Sequence, residues 1–268
     1  MSLLRSSVLL TVITVGCFAL FSDKVQDVGV AEERNIPAPP DSTKLPFPHI
    51  QPTPEERVDL EQIHHAHYSL GYSESHEMAA WVMYELTPHE ANTRAVERKN
   101  RFKADPQVST ASLMPDAMKG TGYHRGHLAP ARDMLFSEVA MTESFYMSNI
   151  AAQQAGFNTG VWKRLEAWVH DLAAAGDTLW VYTGPILSNG MDTIETGVYE
   201  ADGFFKVIID PAPAPKAIGF IVPHEKSKQP LASFACPVDS VETLTGLDFL
   251  PTQGESLESQ IEVTAWPF

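Results

Sequence analysis

The hydrophobic and polar positions of this chain follow two different periods, which predict strands and helices in no regular order. Helices are expected from an N-cap at Ser137 through Phe145 and over Val161 to Leu172, where apolar residues recur at helical spacing. Strands are expected in four apolar runs that end at turn formers: Ala79 to Leu86, Thr178 to Thr183, Phe204 to Asp210 and Ala217 to Val222. This irregular mixture predicts an α+β domain around a largely antiparallel sheet, with helices on its faces.

The first 24 residues have the pattern of an export signal. They open with Arg5, run apolar from Val8 to Phe21 and then turn polar. Because the apolar run is shorter than the roughly 20 residues of a membrane span, a cleaved signal peptide is favoured over a signal anchor. A lipoprotein site at Cys17 is an alternative. We therefore predict an exported protein, periplasmic or secreted, that contacts a membrane only if this segment is uncleaved or lipidated.

The composition changes twice after that leader. Residues 25–56 are rich in proline and poor in large apolar groups, which predicts an extended linker. From 57 to 268 the composition is that of a globular domain, and a chain of 268 residues that is 44% hydrophobic is long enough to bury a sizeable core. Since Cys17 lies in the leader, Cys236 has no internal disulfide partner and is expected to be a buried small hydrophobe.

The formal net charge of -15 argues against a protein held on nucleic acid by general electrostatic attraction. Any affinity for phosphate must then come from a local cluster of cations. One such cluster stands between Arg94 and Lys103, where Glu97 is the only acid. The segment predicts a phosphate track, with an ordinary solvated helix face as the alternative. Its five cations are Arg94, Arg98, Lys99, Arg101 and Lys103.

The segment Tyr123–His127 concentrates groups that suit phosphodiester hydrolysis. His127 or His124 offers an imidazole that can take a proton from water near neutral pH. Arg125 offers a guanidinium that binds two phosphoryl oxygens at once. Gly126 lets the backbone approach a ligand or adopt a positive φ. The string by itself is weak evidence, because a histidine in apolar surroundings is more often a core residue than a catalyst.

Two oxygen-bearing side chains follow at the start of the second predicted helix. Asn158 and Glu166 are eight residues apart, which on a regular helix means about 12 Å of rise and roughly 80° of rotation. They cannot then both bind one ion directly, so Asn158 is predicted to bind the metal and Glu166 to reach it through a coordinated water. Hard oxygen ligands suit Mg²⁺, with Mn²⁺ and Ca²⁺ as alternatives. The plainer interpretation is an N-cap at Asn158 and a solvated Glu166.

Three stretches together resemble a known family. They are His124–Pro130, Phe145–Gln153 and Asn158–Glu166, in the order and spacing of the DNA/RNA non-specific endonucleases, the family of the Serratia nuclease and endonuclease G. The resemblance implies a ββα-metal (His-Me finger) fold and a non-specific endonuclease catalytic domain over 57–268. It covers nearly the whole globular region, from Tyr68–Tyr72 through Phe204–Val207 to Gly246–Phe249.

The same resemblance implies a role for each matched residue. His127 matches the general base, Asn158 the single direct metal ligand, and Glu166 the carboxylate that orients metal-bound water. Asn149 matches a position that hydrogen-bonds near the catalytic histidine, and Arg125 one that positions the phosphate. Cleavage would leave 5′-phosphate ends.

The resemblance also implies a transition-state arginine before an Asp-Pro pair. In this chain that pair is Asp105-Pro106, so Arg101 is our choice and Arg98 the second choice. Together with Lys99 and Lys103, Arg98 and Arg125 are predicted to bind the substrate backbone. DNA and RNA are the expected substrates, and the sequence indicates no protein partner.

One residue departs from the family pattern, because His124 stands where the family has aspartate. Two other readings therefore remain beside the nuclease: a nucleic-acid-binding protein whose nuclease site has decayed, and a phosphodiesterase for a smaller ester. His64, His65 and His67 follow no usual ligand spacing, and we expect them to be surface residues rather than a second metal site.

Overall fold

The computed structural model describes residues 49–50, 60–188, 190–212, 215–249 and 266–268. All of them belong to one compact unit that spans residues 39–268. The predicted signal segment 1–24 and most of the predicted linker 25–56 lie outside the described residues. His49–Ile50 falls within that predicted linker and forms a strand paired with Leu247–Asp248.

The secondary structure follows the predicted order. The strands are β1 (His49–Ile50), β2 (Leu60–His64), β3 (Ser69–Ser73), β4 (Met78–Leu86), β5 (Tyr123–His127), β6 (Ile150–Gln154), β7 (Leu179–Pro185), β8 (Gly203–Asp210), β9 (Lys216–Pro223), β10 (Ala235–Cys236) and β11 (Leu247–Asp248). The α-helices are α1 (Pro88–Asn92), α2 (Glu138–Glu143), α3 (Ala155–Phe157), α4 (Lys163–Ala175) and α5 (Val238–Thr245). The four predicted strands are therefore present as β4, β7, β8 and β9, with ends that move by at most two residues.

Both predicted helices form. Ser137 is the N-cap of α2, since its side chain accepts a hydrogen bond from the Ala140 N–H. The second helix begins earlier than its apolar periodicity predicts, with a π-helical turn over Asn158–Trp162 that leads into α4. Three short 3-10 turns complete the described helices, at Pro115–Met118, Met147–Asn149 and Leu231–Phe234.

Seven strands form one sheet in the order β10-β9-β8-β7-β4-β3-β2, and every neighbouring pair is antiparallel. This confirms the predicted α+β fold with a largely antiparallel sheet. The central strands β4, β7 and β8 are almost continuously buried, which explains why they appear in the sequence as mainly apolar runs.

The sheet is covered on both faces. Side chains alternate along a strand, so Phe204 and Ile208 of β8 pack into the cluster that contains α4, whereas Phe205 and Val207 pack into the cluster that contains α5. Each fully buried side chain of this size contributes about 1.5–3 kcal/mol of transfer free energy. Cys236 packs, partly buried, against the α5 cluster, so the expected burial is only partial.

A separate two-stranded sheet carries the chemistry predicted from the sequence. In it β5 runs antiparallel to β6, with His127 opposite Ile150 and Tyr123 opposite Gln154. The chain then passes from β6 through α3 and the π-helical turn into α4. Two strands and a helix in this order hold the histidine and the asparagine singled out above.

Candidate active site

His127 stands at the end of β5, buried between two aromatic rings. Its imidazole lies 4.8 Å from the Phe145 ring in an edge-on contact and 5.6 Å from the Phe102 ring, measured between centroids. Within the described part of the chain, its Nε2 has no hydrogen-bond partner. Burial lowers the pKa of His127 to about 3, with smaller contributions from the charges of Arg98 and Arg125. The ring is therefore neutral, and Nε2 is available to accept a proton.

Two arginines reach this histidine through the rings that pack on it. The Arg125 guanidinium lies 4.1 Å from the Phe102 ring centroid, and the Arg98 guanidinium lies 5.7 Å from that of Phe145. Arg125 and His127 are two residues apart on one strand, so their side chains share a face. Both arginines are exposed. The arrangement places two cationic groups beside a neutral imidazole, at the edge of solvent.

The predicted phosphate track divides into residues with different surroundings. The segment from 93 to 102 is irregular rather than helical, so the alternative of a solvated helix face does not apply. Lys99 pairs with Glu138, and the Lys103 ammonium lies 4.6 Å from the Tyr146 ring centroid. Arg101 is exposed, and the charge of Arg98 rather than that of Arg101 acts on His127. Of the two candidates Arg101 and Arg98, it is therefore Arg98 whose charge lowers the pKa of His127.

Asn149 supports the histidine from behind. Its Oδ1 accepts a hydrogen bond from the Ala129 N–H at 2.9 Å, and its Nδ2 donates to the Ala129 and Ser144 carbonyls at 3.0 and 2.9 Å. Its own carbonyl accepts from Leu128 N–H. The fully buried amide therefore fastens the chain immediately after His127 to the turn before β6. Its side-chain contacts are with backbone groups, which is the role of a positioning residue.

Asn158 lies in the π-helical turn, where Gly160 has a non-helical backbone (φ -103°, ψ -110°). Its own dihedrals are helical, so it is not the N-cap of a regular helix, and the geometry expected from a regular helix between Asn158 and Glu166 does not apply. Its Nδ2 donates a 2.6 Å hydrogen bond to Gln153 Oε1. With the nitrogen held this way, Oδ1 remains as the acceptor that can serve a cation. Single π-helical turns of this kind are frequent at functional sites.

Gly126 explains how the helix start and the histidine strand come together. A Cβ on this residue would lie 2.0 Å from Gln153 Oε1 and 2.1 Å from Gln153 Cδ, so any larger residue would displace that side chain. The glycine thus serves close approach to a side chain of the protein itself, which differs from both uses predicted for it, approach to a ligand and a positive φ. The Gln153 amide in turn holds Asn158, which links the π-helical turn to the strand of His127.

Glu166 is partly buried and faces several charges. Burial raises the pKa of its carboxyl group, whereas the charges of Lys206 and Arg98 act in the opposite direction. Lys206 comes from the middle of β8 and is fully buried. In the described residues its Nζ has no hydrogen-bond partner, and it lies 4.8 Å from the Trp162 ring centroid. Glu166 is therefore not the solvated helix residue of the plainer interpretation.

A hydrogen-bonded layer extends beneath Glu166. Buried Asp133 accepts from the Tyr84 hydroxyl at 2.9 Å and pairs with His170 Nδ1 at 2.7 Å. The charge of Asp133 acts on both Glu166 and Lys206. The sequence motifs do not include this layer, although one signal for it is present: Lys206 interrupts an apolar strand, and a buried lysine needs a compensating group.

The donor set fits a hard divalent cation. Asn158 offers an amide oxygen and Glu166 a carboxylate, and hard cations such as Mg²⁺ prefer oxygen ligands of this kind. Because Gly126 has no side chain, the Gln153 side chain can pack against it and hold Asn158. The residues present are thus compatible with a metal held mainly by one amide oxygen.

The histidines near residue 65 do not form a second site. Across the described ranges, no group of three His, Cys, Asp or Glu residues is arranged to hold a metal ion. His65 is buried, with Nε2 2.8 Å from Asp105 Oδ2, and it stacks on Tyr146. The expectation that His65 lies on the surface is therefore wrong, because the fold brings a carboxylate forty residues away into contact with it. His64 is exposed, as expected.

The chain is similar to known proteins over most of its described length. Residues 46–256 match the DNA/RNA non-specific endonuclease family. The chain is 31% identical over 206 residues to human mitochondrial nuclease EXOG, covering 70% of this chain and 56% of that protein. It is 32% identical over 200 residues to the mitochondrial nuclease of Saccharomyces cerevisiae, covering 63% of this chain and 59% of that one. The chain thus spans less than two thirds of the length of these relatives.

A solved structure is similar as well. The crystal structure of the EndoG/EndoGI complex contains a chain that is 26% identical, with a TM-score of 0.65, over 73% of this chain and 88% of that one. The family resemblance and the ββα-metal fold are therefore confirmed. The two strands of this fold are β5 and β6, and its helix is the segment that carries Asn158 and Glu166.

The predicted location is contradicted by these relatives. The EXOG proteins of mouse and human and the matching nucleases of two yeasts are mitochondrial, not periplasmic or secreted. The export prediction rested on residues 1–24, which lie outside the described residues. No helix among those that the structure describes is long and apolar enough to cross a membrane.

Proposed function

The chain belongs to the DNA/RNA non-specific endonuclease family, and from that membership we propose that it hydrolyses phosphodiester bonds of DNA and RNA. The observation that carries the proposal is the surroundings of His127: a neutral imidazole whose Nε2 has no hydrogen-bond partner among the described residues, between two rings that each contact an arginine. Members of this family depend on a divalent metal. The fold alone would not specify a reaction, so the proposal rests on the site together with the family membership.

His127 acts in this proposal as the general base that takes a proton from the attacking water. A free-protein pKa of about 3 makes it a weak base, and burial with two nearby arginines is the cause. A bound phosphate would pair with Arg98 and Arg125, which removes part of their effect on the imidazole. The pKa of His127 should then rise when substrate binds, while burial, the larger cause of its low value, remains in the complex.

Asn158 would hold the metal through its amide oxygen, with Glu166 reaching it through coordinated water. We propose Mg²⁺ as the ion, with Mn²⁺ or Ca²⁺ as alternatives, because both donors are hard oxygen groups. When bound, the metal supplies positive charge at the phosphate and stabilises the leaving 3′-oxygen, which gives 5′-phosphate ends. Gln153 keeps the amide of Asn158 in the required orientation.

The substrate contacts proposed here are to phosphate rather than to bases. Arg98 and Arg125 present guanidinium groups to solvent beside the base, and Lys103 extends the same segment. Such contacts position a nucleic acid without reading its sequence. On a chain with a net charge of -15 they confine affinity to one region of the surface.

Cleavage of supercoiled plasmid DNA, with and without Mg²⁺, tests the proposal when wild type is compared with His127→Ala. We expect metal-dependent nicking by wild type and a loss of about 10²- to 10⁴-fold in the variant, the usual contribution of a general base. His89→Ala is the matched control, because His89 is exposed on α1. Binding of DNA without cleavage would favour the decayed-nuclease alternative. Full activity of the His127 variant would refute the assigned base.

A further inference from the structure

The corner between β6 and α3 is closed by a histidine from a distant part of the chain. His224 follows β9 and is buried, 5.0 Å from the Phe157 ring and 5.1 Å from the Phe204 ring, measured between centroids. Both contacts are edge-on, so the imidazole fills a slot between the aromatic core and the start of the metal-binding segment.

Both ring nitrogens of His224 are used, and their partners specify its tautomer. Nε2 accepts a 2.7 Å hydrogen bond from the backbone N–H of Gln154, so Nε2 carries no proton. Nδ1 lies 2.9 Å from the Ala201 carbonyl oxygen and must donate to it. Burial lowers the pKa of His224, consistent with a neutral ring. The side chain is therefore neutral, with its single proton on Nδ1.

A second layer of hydrogen bonds encloses the same corner. Glu200 accepts from the Tyr123 hydroxyl at 2.6 Å and from Gln154 Nε2 at 3.0 Å. One of its oxygens also lies 3.5 Å from His224 Nδ1. The backbone N–H of His224 donates to the Asp202 carbonyl, which holds the loop after β9 against the loop before β8. The corner thus joins β5, β6 and the segment around β8 and β9.

The contacts of His224 lie on both sides of the residue that presents Asn158. The His224 ring accepts a hydrogen bond from the backbone N–H of Gln154. Gln154 directly follows Gln153, the residue that holds the Asn158 side chain. Phe157, on which it packs, directly precedes Asn158. Loss of the imidazole would therefore free the amide of Gln154 and open a gap beneath Phe157.

We infer that His224 is a positioning residue for the metal site, which holds Asn158 in place through Gln154 and Phe157. This inference rests on the proposed function, because it assumes that Asn158 binds the divalent metal. According to this inference, a residue outside the three family motifs orients the metal ligand.

Metal affinity of the purified protein tests the inference without an activity assay. Mn²⁺ binding is measured by the electron paramagnetic resonance signal of free Mn²⁺ for wild type, His224→Phe and His224→Gln. Phenylalanine keeps the ring but loses both hydrogen bonds, and we expect Mn²⁺ affinity to fall about 10-fold, the scale seen for residues that support a ligand. Glutamine can place an acceptor near the position of Nε2 and should recover most of the affinity.

Val241→Ala is the control for general destabilisation, because Val241 lies in α5 on the other face of the sheet. It should lower the melting temperature and leave Mn²⁺ affinity unchanged. Nitrogen-15 spectra of the metal-free protein provide a second readout, in which His224 should show a protonated Nδ1 and an unprotonated Nε2.

Three results overturn the inference. If His224→Phe binds Mn²⁺ as tightly as wild type, Asn158 does not depend on the hydrogen bonds of His224. The proposed function would then stand without this inference. A protonated Nε2 in wild type would contradict the bond to Gln154. Failure of wild type itself to bind Mn²⁺, together with absent plasmid cleavage, would remove the proposed function and this inference with it.

Discussion

The two faces of the seven-stranded sheet are built from the same strands and yet differ in chemistry. On the α5 face, the layer is almost wholly apolar. Strands β4, β7 and β8 contribute Trp81, Trp180, Tyr182 and Phe205, and Phe249 packs on the last two. On the α4 face, alternate positions of the same strands contribute apolar groups together with the Tyr84 hydroxyl and the Lys206 ammonium, which meet a layer of buried ionisable side chains. Burying charge in this way costs free energy unless it is compensated.

The difference separates two tasks. The α5 face can serve stability alone, because its contacts need only shape and apolar area. In the proposed function, the α4 face also has to hold Glu166 and Asn158 in defined positions, and there the chain retains a lysine with no hydrogen-bond partner among the described residues. We therefore expect substitutions on the α4 side to change metal affinity or turnover, and substitutions on the α5 side to change stability.

The largest effect is expected for Asn158→Ala, on the α4 side. Loss of the amide oxygen removes the proposed direct ligand, and metal affinity should fall about 100-fold with little change in melting temperature. Titration with Mn²⁺, followed by activity at rising metal concentration, measures this. Asn158→Asp is the matched control, since it keeps an oxygen at the same place. Inactivity at saturating metal, with a normal dissociation constant, would show that Asn158 has another role.

Val241→Ala tests the α5 side and should have an intermediate effect. Val241 Cγ2 lies over Gly219, where it would be 2.7 Å from an added Cβ, so the site is closely packed. Removing two methyl groups should cost about 2 kcal/mol of unfolding free energy, through lost burial and a small cavity. Urea denaturation measures the loss. Cleavage per folded molecule should stay at the wild-type level, and a matching fall in turnover would erase the distinction between the two faces.

The smallest effect is expected for His124→Asp, which restores the residue that the family has at this position. His124 is exposed and pairs with Gln153 across the two-stranded sheet, on the side opposite His127. A carboxylate there changes local charge without touching the base, so turnover should be preserved or modestly raised. Steady-state cleavage at several pH values measures it. A large fall would reveal a direct role for His124.

The local pattern of apolar and polar residues was sufficient to predict the strands and helices that depend on neighbours in the chain. The apolar runs of β4, β7, β8 and β9 specify strands buried on both faces, and Ser137 specifies a helix start. The local pattern did not predict structure that depends on a contact between distant parts of the chain. The second helix begins with a π-helical turn in which Gln153 holds the Asn158 side chain, and no periodicity predicts either the turn or that bond. The sequence also did not predict the different surroundings of residues 94–103, because Lys99 pairs with a glutamate thirty-nine residues away.

By itself the sequence determined the strand and helix periods, the order of the motifs and the identity of His127, Asn158 and Glu166 as candidates. Only the tertiary structure decided that Arg98 joins Arg125 near the base, that the Lys206 charge acts on Glu166, and that His224, seventy residues after Gln154, closes the corner. The physical reason is range. Periodicity records which side of an element is buried, whereas the partner that a buried charge or amide meets depends on strand order and register across the whole sheet.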